Sequence, residues 1–263
     1  MLHAADGFRS GATRVPSDRS ADPTSMQHQP SPSSDRNHSP GPRVLVTAGP
    51  TQEPIDRVRF IGNRSSGRLG LAIAEAARRR GCPTTLLLGP IESAPSVTDP
   101  QLELVRFRTA AELEQLLREQ SDRHDLVVMA AAVADFRPRS VLEGKHARTA
   151  GGLSLDLEPV PDLLASLASR RRPGQRIVGF ALEEASSLEA RAADKLRRKS
   201  IDAIVANPLE TMDAGEIRGL LLFADGRRET PPGHPDAIPK QAFAEWLVGR
   251  LLEGLTHPAR SAD

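Results

Sequence analysis

Residues 44–70 read VLVTAGPTQEPIDRVRFIGNRSSGRLG, and no other stretch of the chain limits the possible folds so tightly. A short apolar run at 44–46 breaks at Gly49-Pro50 and gives way to a polar loop. The loop closes on Ser65-Ser66-Gly67, just before an amphipathic run over 69–80. A buried strand, a loop and small residues opening a helix together make an anion-binding device. The free N–H groups of the helix start and the helix dipole converge where a phosphate can sit. The order suits the first βα turn of a doubly wound sheet, in which nucleotides bind beyond the carboxyl ends of the strands.

The spacing is not that of the dinucleotide fingerprint. No G-x-G-x-x-G follows the strand, and Gly67 and Gly70 come about 20 residues after its end. The intervening loop carries Glu53, Asp56, Arg57, Arg59, Asn63 and Arg64. A loop of that length inside a compact unit is more often functional than idle. The competing reading is a solvated loop ending in a serine N-cap.

Downstream, strand-like and helix-like runs alternate. Strands are predicted at 84–88, 103–107, 126–131, 177–180 and 203–205, with helices at 69–80, 110–119, 161–170 and about 187–199. Pro161 suits the first turn of its helix, and Ser186 with Glu189 reads as a capping box. A loop-rich stretch over 135–158 holds a short hairpin around Gly151-Gly152. A late hairpin at 219–226 and an amphipathic helix at 240–255 close the chain. Such alternation means right-handed βαβ units and a mostly parallel sheet. The predicted architecture is a single Rossmann-like α/β domain over 43–256.

The first 42 residues contain eight Ser and six Pro, few aliphatics and no periodicity. They cannot bury enough surface to offset the entropy of ordering, so they read as a disordered leader, and 257–263 as a disordered tail. Neither a signal-peptide core nor a membrane-length apolar run is present, which places the expectation in the cytoplasm, away from membranes. One cysteine in 263 residues excludes an internal disulfide framework. Cys82 reads as a packing filler at a helix end. A net charge of +1 gives no electrostatic case for nucleic acid.

At this point a resemblance emerges. The 44–70 segment is followed in order by Ala130-Ala131-Ala132-Val133-Ala134-Asp135-Phe136-Arg137-Pro138, Val178-Gly179-Phe180-Ala181, and a stretch from Lys195-Leu196 to Asn207. Together these resemble the phosphopantothenate–cysteine ligases (phosphopantothenoylcysteine synthetases) of coenzyme A biosynthesis. Those form the ligase domain of the DNA/pantothenate metabolism flavoproteins, and the likeness spans roughly 43–253. It implies a two-step ligation. The carboxylate of 4′-phosphopantothenate attacks the α-phosphate of a nucleoside triphosphate, and the amine of L-cysteine then displaces the nucleotide. Such chemistry needs positioning and charge neutralisation, without a covalent nucleophile from the protein.

The resemblance assigns Asn63 to the acyl-nucleotide step, because an amide can hydrogen-bond a developing acyl oxygen without titrating. Read alone, Asn63 would stabilise its own loop as an Asx-turn. Nucleotide contacts are implied at Ser65, Ser66 and Gly67, at Met129, Ala130, Ala131 and Asp135, and at Pro161, Asp162, Leu163 and Leu164. Phe180 would pack on the base, although plain core packing is its ordinary role. Lys195 and Lys199 share a helix face. By themselves they belong to a basic surface stripe with Arg191, Arg197 and Arg198; the resemblance makes them nucleotide ligands. Lys145 matches a flap lysine that closes over the intermediate. Relatives typically carry Lys-x-Lys-Lys there, where this chain has Lys145-His146-Ala147-Arg148.

The expected co-substrate is CTP, or ATP as in eukaryotic relatives, with Mg²⁺ held by phosphate oxygens rather than a protein cage. Metal ligands are not assigned. The leader is too short to fold as the fused flavin decarboxylase domain of many relatives, so FMN is not expected and the decarboxylase is expected as a separate chain. A homodimer is the default. Two rivals stay open: a catalytically retired nucleotide-binding relative, and an NADPH-dependent reductase on the same fold, against which stand the missing fingerprint and the absence of any tyrosine.

Overall fold

The computed structural model describes residues 41–92, 99–144, 152–212, 214–253 and 255. Residues 1–40 of the predicted leader over 1–42, the tail over 257–263 and Lys145 lie outside the described residues.

Six parallel strands form the centre of one sheet: β1 (Val44–Ala48), β2 (Thr84–Leu88), β3 (Leu102–Arg106), β4 (Leu126–Met129), β5 (Arg176–Glu183) and β6 (Ala203–Pro208). β7 (Leu220–Phe223) joins β6 antiparallel, and β8 (Arg228–Glu229) joins β7 antiparallel at the edge. Across the sheet the order is β3-β2-β1-β4-β5-β6-β7-β8. Chain order runs outward on both sides of the β1–β4 pair. That reversal opens a crevice beyond the carboxyl ends of these two strands, the usual ligand position in an open α/β sheet.

Every residue of β1 is buried, as a central strand covered on both faces must be. Val44, Val46 and Ala48 pack with Ile73 and Ala77 of α1 (Arg68–Arg79) and with Phe243 and Leu247 of α5 (Lys240–Glu253). Leu45, one step out of phase, joins the opposite core. There it meets Leu113 and Leu117 of α2 (Ala110–Gln120), Leu167 of α3 (Leu163–Ser169) and Leu196 of α4 (Leu188–Arg198). The fold is therefore Rossmann-like and doubly wound. Cys82 is buried in the first of these cores. Among the described residues no helix is long and apolar enough to cross a membrane.

Several local expectations need correction. Pro161 does not occupy the first helical turn: α3 begins at Leu163, and Asp162 is its N-cap, accepting from the Ala165 N–H at 3.0 Å. Ser186 and Glu189 do not form a capping box. The N-cap of α4 is Ser187 without a side-chain cap bond, and Glu189 pairs with Arg228 instead. The predicted strand over 126–131 ends at Met129 because the chain turns into the cleft there. In place of a tight hairpin at Gly151-Gly152, strands Phe136–Pro138 and Leu157–Pro159 pair as a ribbon. Gly151 lies outside the described residues. The long loop after β1 also contains a ribbon, Glu53–Pro54 with Phe60–Ile61. Its two acids are structural. Glu53 accepts from the Ala110 N–H at 2.8 Å at the start of α2, and Asp56 accepts from Val58 and Arg59 N–H, each at 2.8 Å.

α4 ends in a paired-bond turn: Ser200 N–H reaches Arg197 O at 3.1 Å and Ile201 N–H reaches Leu196 O at 3.4 Å. This geometry wants glycine at the left-handed position, yet an exposed serine with φ 51° stands there. Ser200→Gly should raise stability by about 0.5–1 kcal/mol, the relieved left-handed strain exceeding the added unfolded-chain entropy. Urea unfolding checks the sign.

His124 is 1% exposed, with Nδ1 2.8 Å from Gln120 O and Nε2 3.0 Å from Thr85 Oγ1. Burial, the larger influence, pushes its pKa down against the opposing hydrogen bond to Gln120. The folded state thus resists protonation that the unfolded chain accepts near pH 6.5. Stability present above that pH is lost as pH falls through it. Thermal melts from pH 7.5 to 5.5 should show this loss, and His124→Asn should flatten it.

Candidate functional site

The carboxyl ends of β1, β4, β5 and β6 open into a cleft of about 910 Å³. Its floor is set by two threonines. Thr47 Oγ1, on β1, accepts from the Ala131 N–H at 3.0 Å, and Thr51 Oγ1 accepts from the Ala134 N–H at 3.0 Å. Both threonines are fully buried. Backbone bonds complete the lacing: Thr51 N–H to Ala132 O at 3.1 Å and Ala132 N–H to Gly49 O at 2.9 Å. The loop after β4 is thereby clamped to the loop after β1. Asn63 reaches the same loop, its Nδ2 donating to Val133 O at 2.8 Å.

The start of α1 forms one wall. Gly67, not a serine, is its N-cap, with φ 70° and no side-chain cap bond. Ser65 Oγ instead accepts from the Gly67 N–H at 3.4 Å. A Cβ on Gly70 would lie 2.5 Å from Ala48 Cβ, so only glycine lets α1 seat this closely on β1. The first-turn amides and the positive end of the helix dipole consequently meet the cleft with no acid in that turn to offset them.

The opposite wall comes from α3 and α4. A Cβ on Gly179 would lie 2.6 Å from Leu164 Cδ2, so its absence gives the Leu164 side chain of α3 its place over β5. Asp162 Oδ1 caps α3 and also pairs with Lys199 Nζ at 2.9 Å. Burial raises the Asp162 pKa, but the Ala165 N–H and the Lys199 charge outweigh it and hold the carboxyl below its ordinary value. Lys195 Nζ donates to Phe180 O at 2.8 Å. Burial, and then the Lys199 charge, push the Lys195 pKa down, against the pull of Glu183, Asp162 and Asp135. Among the described residues Lys195 has no carboxylate within ion-pair distance, so an anion in the cleft would supply its missing counter-charge.

The cleft lining contains Asn63, Ser65, Ser66 and Gly67 from the first loop, and Met129, Ala130, Ala131 and Asp135 from the second. It also contains Pro161, Asp162, Leu163 and Leu164, then Phe180, Lys195 and Lys199. Lys145 lies outside the described residues. Leu163 and Leu164 also belong to the α3 core, and Phe180 is half-buried, lining the cleft while packing against the α1–α5 core. Sequence reasoning passed over Thr47 and Thr51, whose β-branched side chains read as ordinary strand residues. Asn207, named in the sequence only as the end of a matching stretch and given no role, lines the cleft while donating to Thr211 Oγ1 at 3.1 Å.

No group of three or more His, Cys, Asp or Glu among the described residues is placed to hold a metal ion.

Residues 40–254 match the model of the DNA/pantothenate metabolism flavoprotein C-terminal domain. The chain belongs to this family. The coenzyme A biosynthesis bifunctional protein CoaBC of Bacillus subtilis is 38% identical over 198 residues, covering 73% of this chain and 47% of that protein. A protein from an unknown prokaryotic organism, named cysteine/cysteine sulfinic acid decarboxylase, is 43% identical over 175 residues, covering 66% and 48%. The chain spans about half the length of these relatives. The crystal structure of the C-terminal domain of a coenzyme A biosynthesis bifunctional protein CoaBC superposes with TM-score 0.67 at 31% identity, covering 82% of this chain and 96% of that one.

Replacing Thr51 by isosteric Val would take away the acceptor of the Ala134 N–H, on a residue only 3% exposed. Thr51→Val should cost about 1–3 kcal/mol in urea unfolding.

Proposed function

We propose that the protein joins 4′-phosphopantothenate to L-cysteine through an acyl-nucleotide intermediate, acting in the cytoplasm in coenzyme A biosynthesis. One observation carries this reading: a helix start free of side-chain caps, Asn63 and an uncompensated lysine share one cleft in a chain of this family. Among solved structures of similar fold is a Cab2 mutant in complex with phosphopantothenate-cysteine, at TM-score 0.66 and 21% identity.

The balance of the reaction is simple. A carboxylate oxygen of phosphopantothenate bonds to the α-phosphorus of the triphosphate, and pyrophosphate leaves. The cysteine amine then bonds to the acyl carbon, loses a proton, and expels the nucleoside monophosphate. The α1 start and Lys195 would neutralise phosphate charge, and Phe180 would pack against the base. Asn63 would address the acyl oxygen. Its Nδ2 spends one hydrogen on Val133 O, which fixes the amide plane and leaves the second N–H for substrate. Mg²⁺ enters as part of the nucleotide substrate, on phosphate oxygens. CTP is the proposed donor, with ATP the alternative. Lys145 is proposed as the flap cation.

A homodimer is also proposed, supported by exposed apolar side chains on the two adjoining ribbons. Val58 and Phe60 on one, with Phe136 and Leu157 on the other, are 40–60% exposed. The flavin decarboxylase would be a separate partner. The substitution of the family lysines at 147 and 148 favours, as a second reading, a retired relative that binds nucleotide without turnover.

Asn63→Asp keeps volume but removes the donor to Val133 O and adds negative charge facing an anionic intermediate. Given phosphopantothenate, cysteine, Mg²⁺ and CTP or ATP, wild type should form phosphopantothenoylcysteine, detected by mass spectrometry. The variant should fold normally and lose at least 100-fold in rate, on the order of one lost oxyanion donor. Wild-type product formation by Asn63→Asp would remove the residue from the mechanism.

A further inference from the structure

The cleft divides its polar groups between two regions. Donors gather at the start of α1 and along α4, where the first-turn amides, Lys195 and Lys199 stand. Acceptors gather where β5 and β6 end. Three carboxylates line the cleft: Asp135, Asp162 and Glu183. Asp162 is satisfied by the Ala165 N–H and Lys199, and Asp135 is exposed. Glu183, the last residue of β5, has a side chain only 24% exposed. Its one partner among the described residues is Arg191 Nη1 at 3.5 Å, on a side chain 67% exposed. A long ion pair at the rim contributes little, so this carboxylate still favours a cationic ligand. Asn207 pairs with Leu182 across β5 and β6, next to the Glu183–Pro208 pair. It spends Nδ2 on Thr211 Oγ1, and among the described residues its Oδ1 takes no partner. Leu182, 39% exposed, and Met212 bring apolar surface to the same lining.

We propose that Glu183 and Asn207 hold the α-amino group of L-cysteine, with Leu182 and Met212 beside its thiol-bearing carbon. This deepens the ligase reading and rests on it. The ligation brings two cations to the cleft, the metal of the nucleotide and the ammonium of the amino acid. Mg²⁺ dehydrates reluctantly and demands a full octahedron of oxygens, which apolar neighbours do not supply. An ammonium presents three donors to the two acceptors and carries carbon that apolar side chains can cover. Lys240, the first residue of α5, also lines the cleft and gives the amino acid's carboxylate a positive charge to face. For attack, the ammonium releases one proton to solvent. A remaining N–H stays on Glu183 while the freed lone pair bonds to the acyl carbon and the nucleoside monophosphate departs. Glu183 therefore orients the nitrogen only after the acyl-nucleotide has formed.

The test separates the two half-reactions, using the full chain with Mg²⁺, phosphopantothenate and CTP or ATP. Pyrophosphate exchange without cysteine reads the first, and product formation against cysteine concentration reads the second. Glu183→Gln should raise KM for cysteine about tenfold or more, the scale of a hydrogen bond to a charged group, and keep exchange within about twofold of wild type. Glu183→Asp, which keeps the charge on a shorter stem, should fall between the two and carries the test if the amide variant does not fold. Arg191→Met should leave KM for cysteine unchanged or lower it. An unchanged KM in Glu183→Gln overturns the assignment. So does a parallel loss of exchange, which would put Glu183 on the nucleotide or its metal, and so does the same defect in Arg191→Met. If wild type neither exchanges pyrophosphate nor forms product, the ligase reading itself fails, and the assignment with it.

Discussion

The clamp between the loops after β1 and β4 is the constraint on which the rest of the site depends. Two threonine hydroxyls with no solvent access accept the Ala131 and Ala134 amides, and the backbone bridge at Pro50 and Ala132 closes the gap between them. The sheet order reverses at these two strands, so their loops would otherwise diverge. Pinning them gives Asn63 a fixed carbonyl to lean on and sets the small residues of 130–134 as one side of the cleft. Buried hydroxyl-to-amide bonds suit this purpose, because an unmade partner in a dry site is expensive.

Close packing supplies the second half of the construction. Gly70 brings α1 against β1 at a separation that a methyl group would prevent, and Gly179 leaves room for the Leu164 and Ile201 side-chain ends over β5. Both helices consequently deliver their N-terminal ends to the cleft. The two ends are then treated differently. α1 carries no acid in its first turn and keeps its positive end open, whereas α3 is closed by Asp162. One end suits phosphate.

Much of this was legible in the sequence, because the signals were local. Alternating apolar runs foretold the parallel sheet, and the 44–70 segment with 130–135, Phe180 and the α4 lysines foretold residues that do line one cleft. The errors have physical causes. Pro161 was read as a first-turn proline, but Asp162 makes the better cap and the proline stands before it. Ser186 offered a capping pattern that α4 leaves unused, since its neighbour Ser187 takes the boundary. Glu53 and Asp56 belong to a loop whose length suggested function, yet long-range and local amide bonds absorb both. Thr47 and Thr51 gave no sign of their task because their partners lie more than 80 residues away. The strand order itself could not be read, since it depends on which distant strands pair.

The central claim is activation of a carboxylate by a nucleotide, and pyrophosphate exchange tests it most directly. Labelled pyrophosphate should enter CTP or ATP when phosphopantothenate and Mg²⁺ are present, with no need for cysteine. That result requires reversible formation of the acyl-nucleotide in this cleft. Cleavage to nucleoside diphosphate and phosphate, or no exchange by protein that binds the nucleotide, would contradict the account.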